Sequence, residues 1–274
     1  MKGFAPPLAV SAVLAALAGP SAARAAGGPI QDNSFLLEEA YNQEPGVIQH
    51  ISTFSRPAGG GAWQYTFTEE WPAGGLADQV SVTAAVQRAD RLRPPGMGDL
   101  ALNYRRQVLG DGAAPVAFAP RLSLLLPTGS AAEARGAGGA GAQVNLPLSV
   151  ALGRRFVTHV NLGGTWIPAG RTAEGAPSRS WGWAFGQSLV WLLHPSVNLL
   201  VEALATGGEA TAGGATVGTS SWTLNPGLRA ALDLPGSLQV VAGLSAPVGI
   251  GPSRGERGLF LYLSFEHPLA ALGG

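Results

Sequence analysis

From Gly258 onward the chain alternates without a break. Leu259, Leu261, Leu263 and Phe265 share one strand face, and Phe260, Tyr262, Ser264 and Glu266 share the other, because successive strand side chains point to opposite sides. The first face is wholly apolar; the second turns polar toward its end. A soluble sheet must cover such an apolar face with a second layer. Lipid covers it when the strand belongs to the wall of a transmembrane barrel, with a lumen behind it.

The same pattern recurs along the chain, between turns rich in Gly, Pro and polar residues. Segments of this kind lie near 47–56, 62–70, 76–88, 98–108, 115–127, 143–153, 156–167, 180–193, 196–206, 219–231, 237–248 and 258–269. Their number is about twelve, and it is even, as a single-chain bacterial barrel requires. The fold expected is all-β: a transmembrane, antiparallel, up-and-down barrel preceded by a short N-terminal helix. Only 12% of the residues are charged while 46% are hydrophobic, about half the charge usual in a soluble domain. One stretch, 189–205, is apolar enough to suggest a membrane helix. Pro195 would break that helix and Glu202 would sit in lipid, so it reads as a hairpin turning at His194-Pro195.

With both termini in the periplasm, outer connections should be long and inner ones short. The long candidates are 128–142, 168–179, 207–218 and 249–257, and the short ones fall at 154–155, 194–195 and 233–236. On this scheme Trp63, Trp166, Trp181, Trp183 and Trp222 stand at outer strand ends, and Trp71 and Trp191 at inner ends. Amphipathic rings collect at the two water–lipid boundaries, so these seven are the expected membrane-interface girdle.

The N-terminus reads as an address. Lys2 precedes an apolar run from Leu8 to Ala18, and Ala23-Arg24-Ala25 fits a small-residue cleavage site, which makes 1–25 a secretory signal peptide; cleavage after Ala18 is the alternative. Residues 26–46 form a periplasmic segment, 47–269 the barrel and 270–274 a tail. Within 26–46, Asp32, Asn33 or Ser34 is placed to cap a helix. Glu38 and Glu39 lie near its positive end, and Pro45-Gly46 stops it. So short a helix needs a surface to pack on. A cap on the periplasmic rim is preferred to a plug inside the lumen.

This segment also carries a resemblance. The run Asp32-Asn33-Ser34-Phe35-Leu36-Leu37-Glu38-Glu39-Ala40-Tyr41-Asn42-Gln43-Glu44, followed by Val47-Ile48-Gln49-His50, resembles the opening of the meta-pathway phenol-degradation family of Gram-negative outer-membrane transporter-like proteins. The similarity continues at Gly98–Arg105, Pro120–Gly129 and Tyr262–Pro268. That family's pattern has an aromatic after Tyr104-Arg105 and a terminal Phe after the Glu-His-Pro; Arg106 and Leu269 stand in those places. The resemblance implies an outer-membrane barrel and transport of small, hydrophobic or aromatic solutes. It assigns no functional residue.

No catalytic constellation is legible. The chain has no cysteine and four histidines, His50, His159, His194 and His267, without metal-ligand spacing. Gly136–Gly141 matches G-x-G-x-x-G, but no helix pattern follows, so it reads as a flexible loop. Neither a cofactor nor a metal is expected. Removing Lys2 and Arg24 leaves 15 arginines against 17 acids, which gives no basic field for nucleic acid. The partners expected are outer-membrane lipid, a small-molecule solute and the barrel-assembly machinery during insertion.

Strand phase puts Gln64, Thr66, Thr68, Glu70, Asp99, Asn103, Arg105, Arg121, His159, Asn161, Asn198, Glu202, Arg229, Tyr262 and Glu266 on the lumen face. A barrel of this size has a narrow interior. These residues either line a polar path for a solute or fill the interior with ion pairs. A channel is the leading expectation. A lipase-like barrel enzyme, requiring a lipid-facing Ser–His pair, and a sealed structural barrel are the alternatives.

Overall fold

The computed structural model describes residues 32–111, 113–234 and 238–269. The expected signal peptide and the 270–274 tail lie outside these residues. Twelve antiparallel strands form one closed wall: β1 (Val47–Pro57), β2 (Trp63–Pro72), β3 (Asp78–Arg88), β4 (Leu100–Arg106), β5 (Arg121–Leu126), β6 (Gly141–Leu152), β7 (Phe156–Arg171), β8 (Pro177–His194), β9 (Val197–Ala212), β10 (Ala215–Leu234), β11 (Leu238–Ser245) and β12 (Gly258–Pro268). Short pieces at Gly96–Met97, Val116–Phe118 and Val248–Ile250 prolong β4, β5 and β11. Pro120 and Pro247 fall in two of the interruptions, where a residue without an N–H cannot contribute to the ladder.

Closure comes from β12 on β1, paired from Val47↔Pro268 to Pro57↔Gly258. Every backbone polar group of the wall can then pair within the sheet, the condition for crossing a membrane with strands. Among the described residues no helix is long and apolar enough to cross a membrane. The wall is inverted relative to a soluble sheet. Leu102, Leu122, Leu124, Leu162, Leu261 and Leu263 are exposed on the outer face, while Glu70, Asn103, Arg121, Asn161, Glu202 and Arg229 are buried inside. On β12 the apolar face named above is the outward one.

Two features differ from the sequence reading. The stretches 168–179 and 207–218 are not open connections, because the ladder runs through most of both. β9 and β10 pair as far as Ala212↔Ala215, closed by Gly213 and Gly214 at φ +58° and +81°. Two consecutive positive φ values make the tight turn whose twist matches a hairpin. Thr, Gly and Ser in these arms look like loop composition, yet each fits a solvated strand. As a result β7 to β10 are 16 to 20 residues long, well beyond the roughly 9–11 needed to span a bilayer. One side of the barrel therefore stands tall.

The second difference is the N-terminal segment. No helix forms over 32–46. The segment does not cap the rim; it lies buried inside the barrel, bent at Phe35–Leu37 and at Ala40.

Candidate functional site

A segment with neither helix nor neighbouring strand has N–H and C=O groups without regular partners along its whole length, and burial makes each one costly. Wall side chains satisfy them here. Leu36 and Leu37 N–H donate to the Glu202 carboxylate at 2.9 and 3.1 Å. Asn161 takes the Glu38 N–H at 2.9 Å and gives its own N–H to the Glu38 carbonyl at 2.8 Å. Gln107 does the same across Ala40 O (2.8 Å) and Asn42 N (3.0 Å). Each carboxamide thus stands in for one peptide unit of an absent strand. Ser149 accepts from Ala40 N at 2.8 Å and Gln79 from Gln43 N at 2.7 Å. Arg105 donates to the carbonyls of Glu39 and Tyr41, and Arg229 to those of Asp32 and Asn33.

The acidic side chains are held as firmly. Glu38 sits between Arg121 Nε at 3.0 Å and Arg105 Nη1 at 3.6 Å. Glu39 meets Arg229 Nη1 at 3.0 Å and His159 Nε2 at 3.4 Å. Asp32 accepts from Tyr262, Ser264 and Gln49. A buried carboxylate left alone is severely penalised, and each of these is paired.

Glycines in the wall make seats for the two large apolar side chains. A Cβ on Gly227 or Gly243 would lie 2.4 Å from the Phe35 ring, and one on Gly186 would lie 2.3 Å from Leu37 Cδ2. Phe35 completes its seat against Phe260 and Tyr262, at ring-centroid distances of 5.7 and 5.9 Å. Gly243→Val should expel the ring, at a cost of roughly 1–3 kcal/mol as overpacking. The expected result is faster protease cleavage within 32–44 in detergent, with the barrel itself intact.

Glu38, Ala40, Gln43, Gln49, Asn198, Glu202 and Asn225 are 0% exposed. A water-filled path past these atoms would leave surface on them. The lumen is therefore closed at this level.

The residues expected to line the lumen fall into three groups. Arg105, Arg121, His159, Glu202, Arg229 and Tyr262 grip the N-terminal segment, as described. Thr66, Thr68 and Asn103 bond instead across neighbouring strands, to Thr53, Thr83 and Ser81. Half-buried Gln64 pairs with Gln87, and Glu266 is buried. Asp99 is a loop anchor: its carboxylate accepts Gly129 N at 2.9 Å and Ala137 N at 2.7 Å, fastening the connection 127–140. The glycine-rich run at 136–141 belongs to this fastened connection and to the start of β6. On the outer face Trp166, Trp181, Trp183, Trp191 and Trp222 are exposed, and Trp63 and Trp71 are half-buried.

Gln79, Gln107, Gln143 and Ser149 were not among the lumen residues named from the sequence, and Asp32, Glu38 and Glu39 were named there in another role. Gln79, Gln143 and Ser149 share the strand phase of the lumen positions that were named. Asp32 was read as a helix cap, and Glu38 and Glu39 as helix-dipole partners.

Ser149, His159 and Glu39 form a Ser–His–acid line: Ser149 Oγ lies 2.7 Å from His159 Nδ1, whose Nε2 faces Glu39. It faces the lumen, whereas the lipase-like alternative required the lipid side. Ser149 is 1% exposed and already accepts the Ala40 N–H, so no carbonyl carbon can reach it. The acid, moreover, belongs to the inserted segment. The line holds that segment in place.

At the outer ends of β7, β8 and β9, a cleft of about 650 Å³ opens among Arg171, Pro177, Arg179, Thr211 and Gly213.

No family model matches the chain, and no curated protein matches it. Solved structures do. The chain is similar to the COG4313 outer membrane channel from Pseudomonas putida F1, with 12% identity over 83% of this chain and 97% of that one, and a TM-score of 0.63. It is also similar to the NanC porin, with 8% identity over 79% and 98% and a TM-score of 0.54. The fold is that of outer-membrane barrels. The structures it resembles are a channel and a porin by name, not enzymes.

Proposed function

We propose that this chain is an outer-membrane channel for small solutes whose lumen is held closed by its own N-terminal segment. One observation carries the reading: residues 32–43 meet the wall almost wholly through side chains rather than through a shared strand ladder. Withdrawing the segment requires no change in the barrel's strand pairing. Pro45-Gly46, with Gly46 at φ +80°, provides a pivot just before β1. Emptied, the lumen would present Arg229 beside the apolar seat of Phe35, and Arg105 and Arg121 on β4 and β5. Such a lining suits solutes that combine an aromatic or aliphatic body with a polar group. The resemblance to the phenol-degradation family points to the same solutes. We place the barrel, 47–269, in the outer membrane of a Gram-negative bacterium, exported by the signal peptide 1–25 and inserted by the assembly machinery.

The complete burial around the segment also favours a sealed structural barrel. Flux into liposomes separates the two. A barrel lacking 32–44 should pass small aromatic and aliphatic solutes, and Arg121→Ala or Glu202→Ala in the complete chain should raise leakage by loosening the segment. If the shortened barrel is folded yet passes neither ions nor solutes, the channel reading fails and the sealed barrel stands.

A further inference from the structure

The four histidines are far apart in sequence, but closure of the barrel joins two of them. His50 on β1 and His267 on β12 face outward, near the periplasmic ends of the first and last strands. Their Nε2 atoms lie 3.0 Å apart and their rings are stacked, with centroids 5.1 Å apart. Phe265 also stacks with His50, at a centroid distance of 4.6 Å.

The far nitrogens define what the near ones can do. His267 Nδ1 lies 2.9 Å from the Pro268 carbonyl. A carbonyl only accepts, so Nδ1 carries the proton and Nε2 is left with a lone pair. His50 Nδ1 faces the Glu69 carboxylate at 3.9 Å, and a carboxylate behind an imidazole favours the tautomer with the proton on Nδ1. With that tautomer both Nε2 lone pairs face one gap, which a shared cation would fill; with the His50 proton on Nε2 instead, the pair is an ordinary N–H···N bond. At metal–nitrogen lengths of about 2.0–2.1 Å, a right-angled pair of imidazoles is separated by about 2.9 Å and a tetrahedral pair by about 3.4 Å. The 3.0 Å separation falls within that span.

We infer that His50 and His267 form a divalent transition-metal site, of the zinc, copper or nickel type that imidazole prefers, which staples the first strand to the last. No cluster of three or more His, Cys, Asp or Glu suited to a metal exists among the described residues. The protein therefore supplies two ligands and water completes the coordination, so the metal exchanges freely. This inference is independent of whether the lumen conducts.

The test is calorimetric titration of the chelator-stripped, detergent-folded full barrel with zinc chloride, alongside thermal unfolding with and without the metal. One zinc per barrel and a raised unfolding temperature are expected. His50→Ala and His267→Ala should each abolish both effects, while His194→Ala, altering an exposed histidine at another turn, leaves them intact. Heat-dependent gel mobility confirms that each variant is folded. Absence of binding to the wild-type barrel overturns the proposal and leaves an ordinary His–His hydrogen bond. So does binding that survives either seam substitution.

Discussion

Deletion of residues 32–44, with the export signal and barrel kept, is expected to convert a nearly silent protein into a conducting one in planar bilayers. Undocking the segment exposes several buried hydrogen bonds and ion pairs at once. If that costs a net ~3 kcal/mol or more, the open fraction in the complete chain is about 1% or less. Removing the segment takes that fraction to unity, a gain on the order of a hundredfold in mean conductance. A reversible control follows from the absence of cysteine in the chain. Ser34 Oγ and Ser188 Oγ lie 3.4 Å apart, one on the segment and one on β8. Replacing both by cysteine sets two sulfurs within reach of a disulfide, which needs Cβ atoms about 3.5–4.5 Å apart. The oxidised double variant should stay shut, and a reductant should restore its wild-type openings. A deletion barrel that is folded but silent would show that the segment is not what closes the lumen.

Arg229→Ala should be the most damaging single substitution. Its guanidinium is 1% exposed and serves two carbonyls of the segment together with the Glu39 carboxylate. Removing it strands a buried charge, at about 3–5 kcal/mol. The protein can recover part of that cost by releasing the segment to water. Two changes are therefore expected together: a lower urea midpoint, and channel activity approaching that of the deletion variant. Glu39→Gln in the same background should restore part of the urea midpoint, because the stranded charge is gone; the double-mutant cycle measures the coupling. An unchanged midpoint and unchanged conductance in Arg229→Ala would remove this arginine from the closing mechanism.

The wall was legible in the sequence because period-2 alternation survives in nearly every strand, and lipid on one side enforces it. Trp63 through Phe67, or Val144 through Leu148, declare their faces without help. The tops of β7 to β10 were not legible, because a strand leaving the lipid for water on both faces loses its alternation and takes on the Thr, Ser and Gly of a loop. The segment 32–44 was misread for a different reason. Leu36, Leu37, Ala40 and Tyr41 have helical spacing, and propensity favours one turn of helix. Inside the lumen, Glu202, Asn161, Gln107 and Arg105 offer the backbone better partners than a helix of so few turns could provide. Those partners lie 64 to 166 residues away, and spacing within the segment says nothing about them. Lumen residues such as Arg121 and Glu202 could be named from strand phase; what they hold could not.

The position of the inserted segment has a consequence for biosynthesis. It immediately precedes β1, so it is made and exported before any strand of the wall. Yet Glu202, Arg229 and Tyr262, which receive its first residues, come from the last third of the chain. The bonds of those first residues therefore form late in maturation, whereas Glu38 meets Arg105 and Arg121 from the first half of the chain. Until then Asp32 and Glu39 remain hydrated, keeping the nascent N-terminus soluble while the strands assemble. Because withdrawal leaves the strand pairing intact, the segment can dock before or after β12 closes onto β1. A wall that closed first would have to admit the segment from its periplasmic end, against the desolvation of three carboxylates.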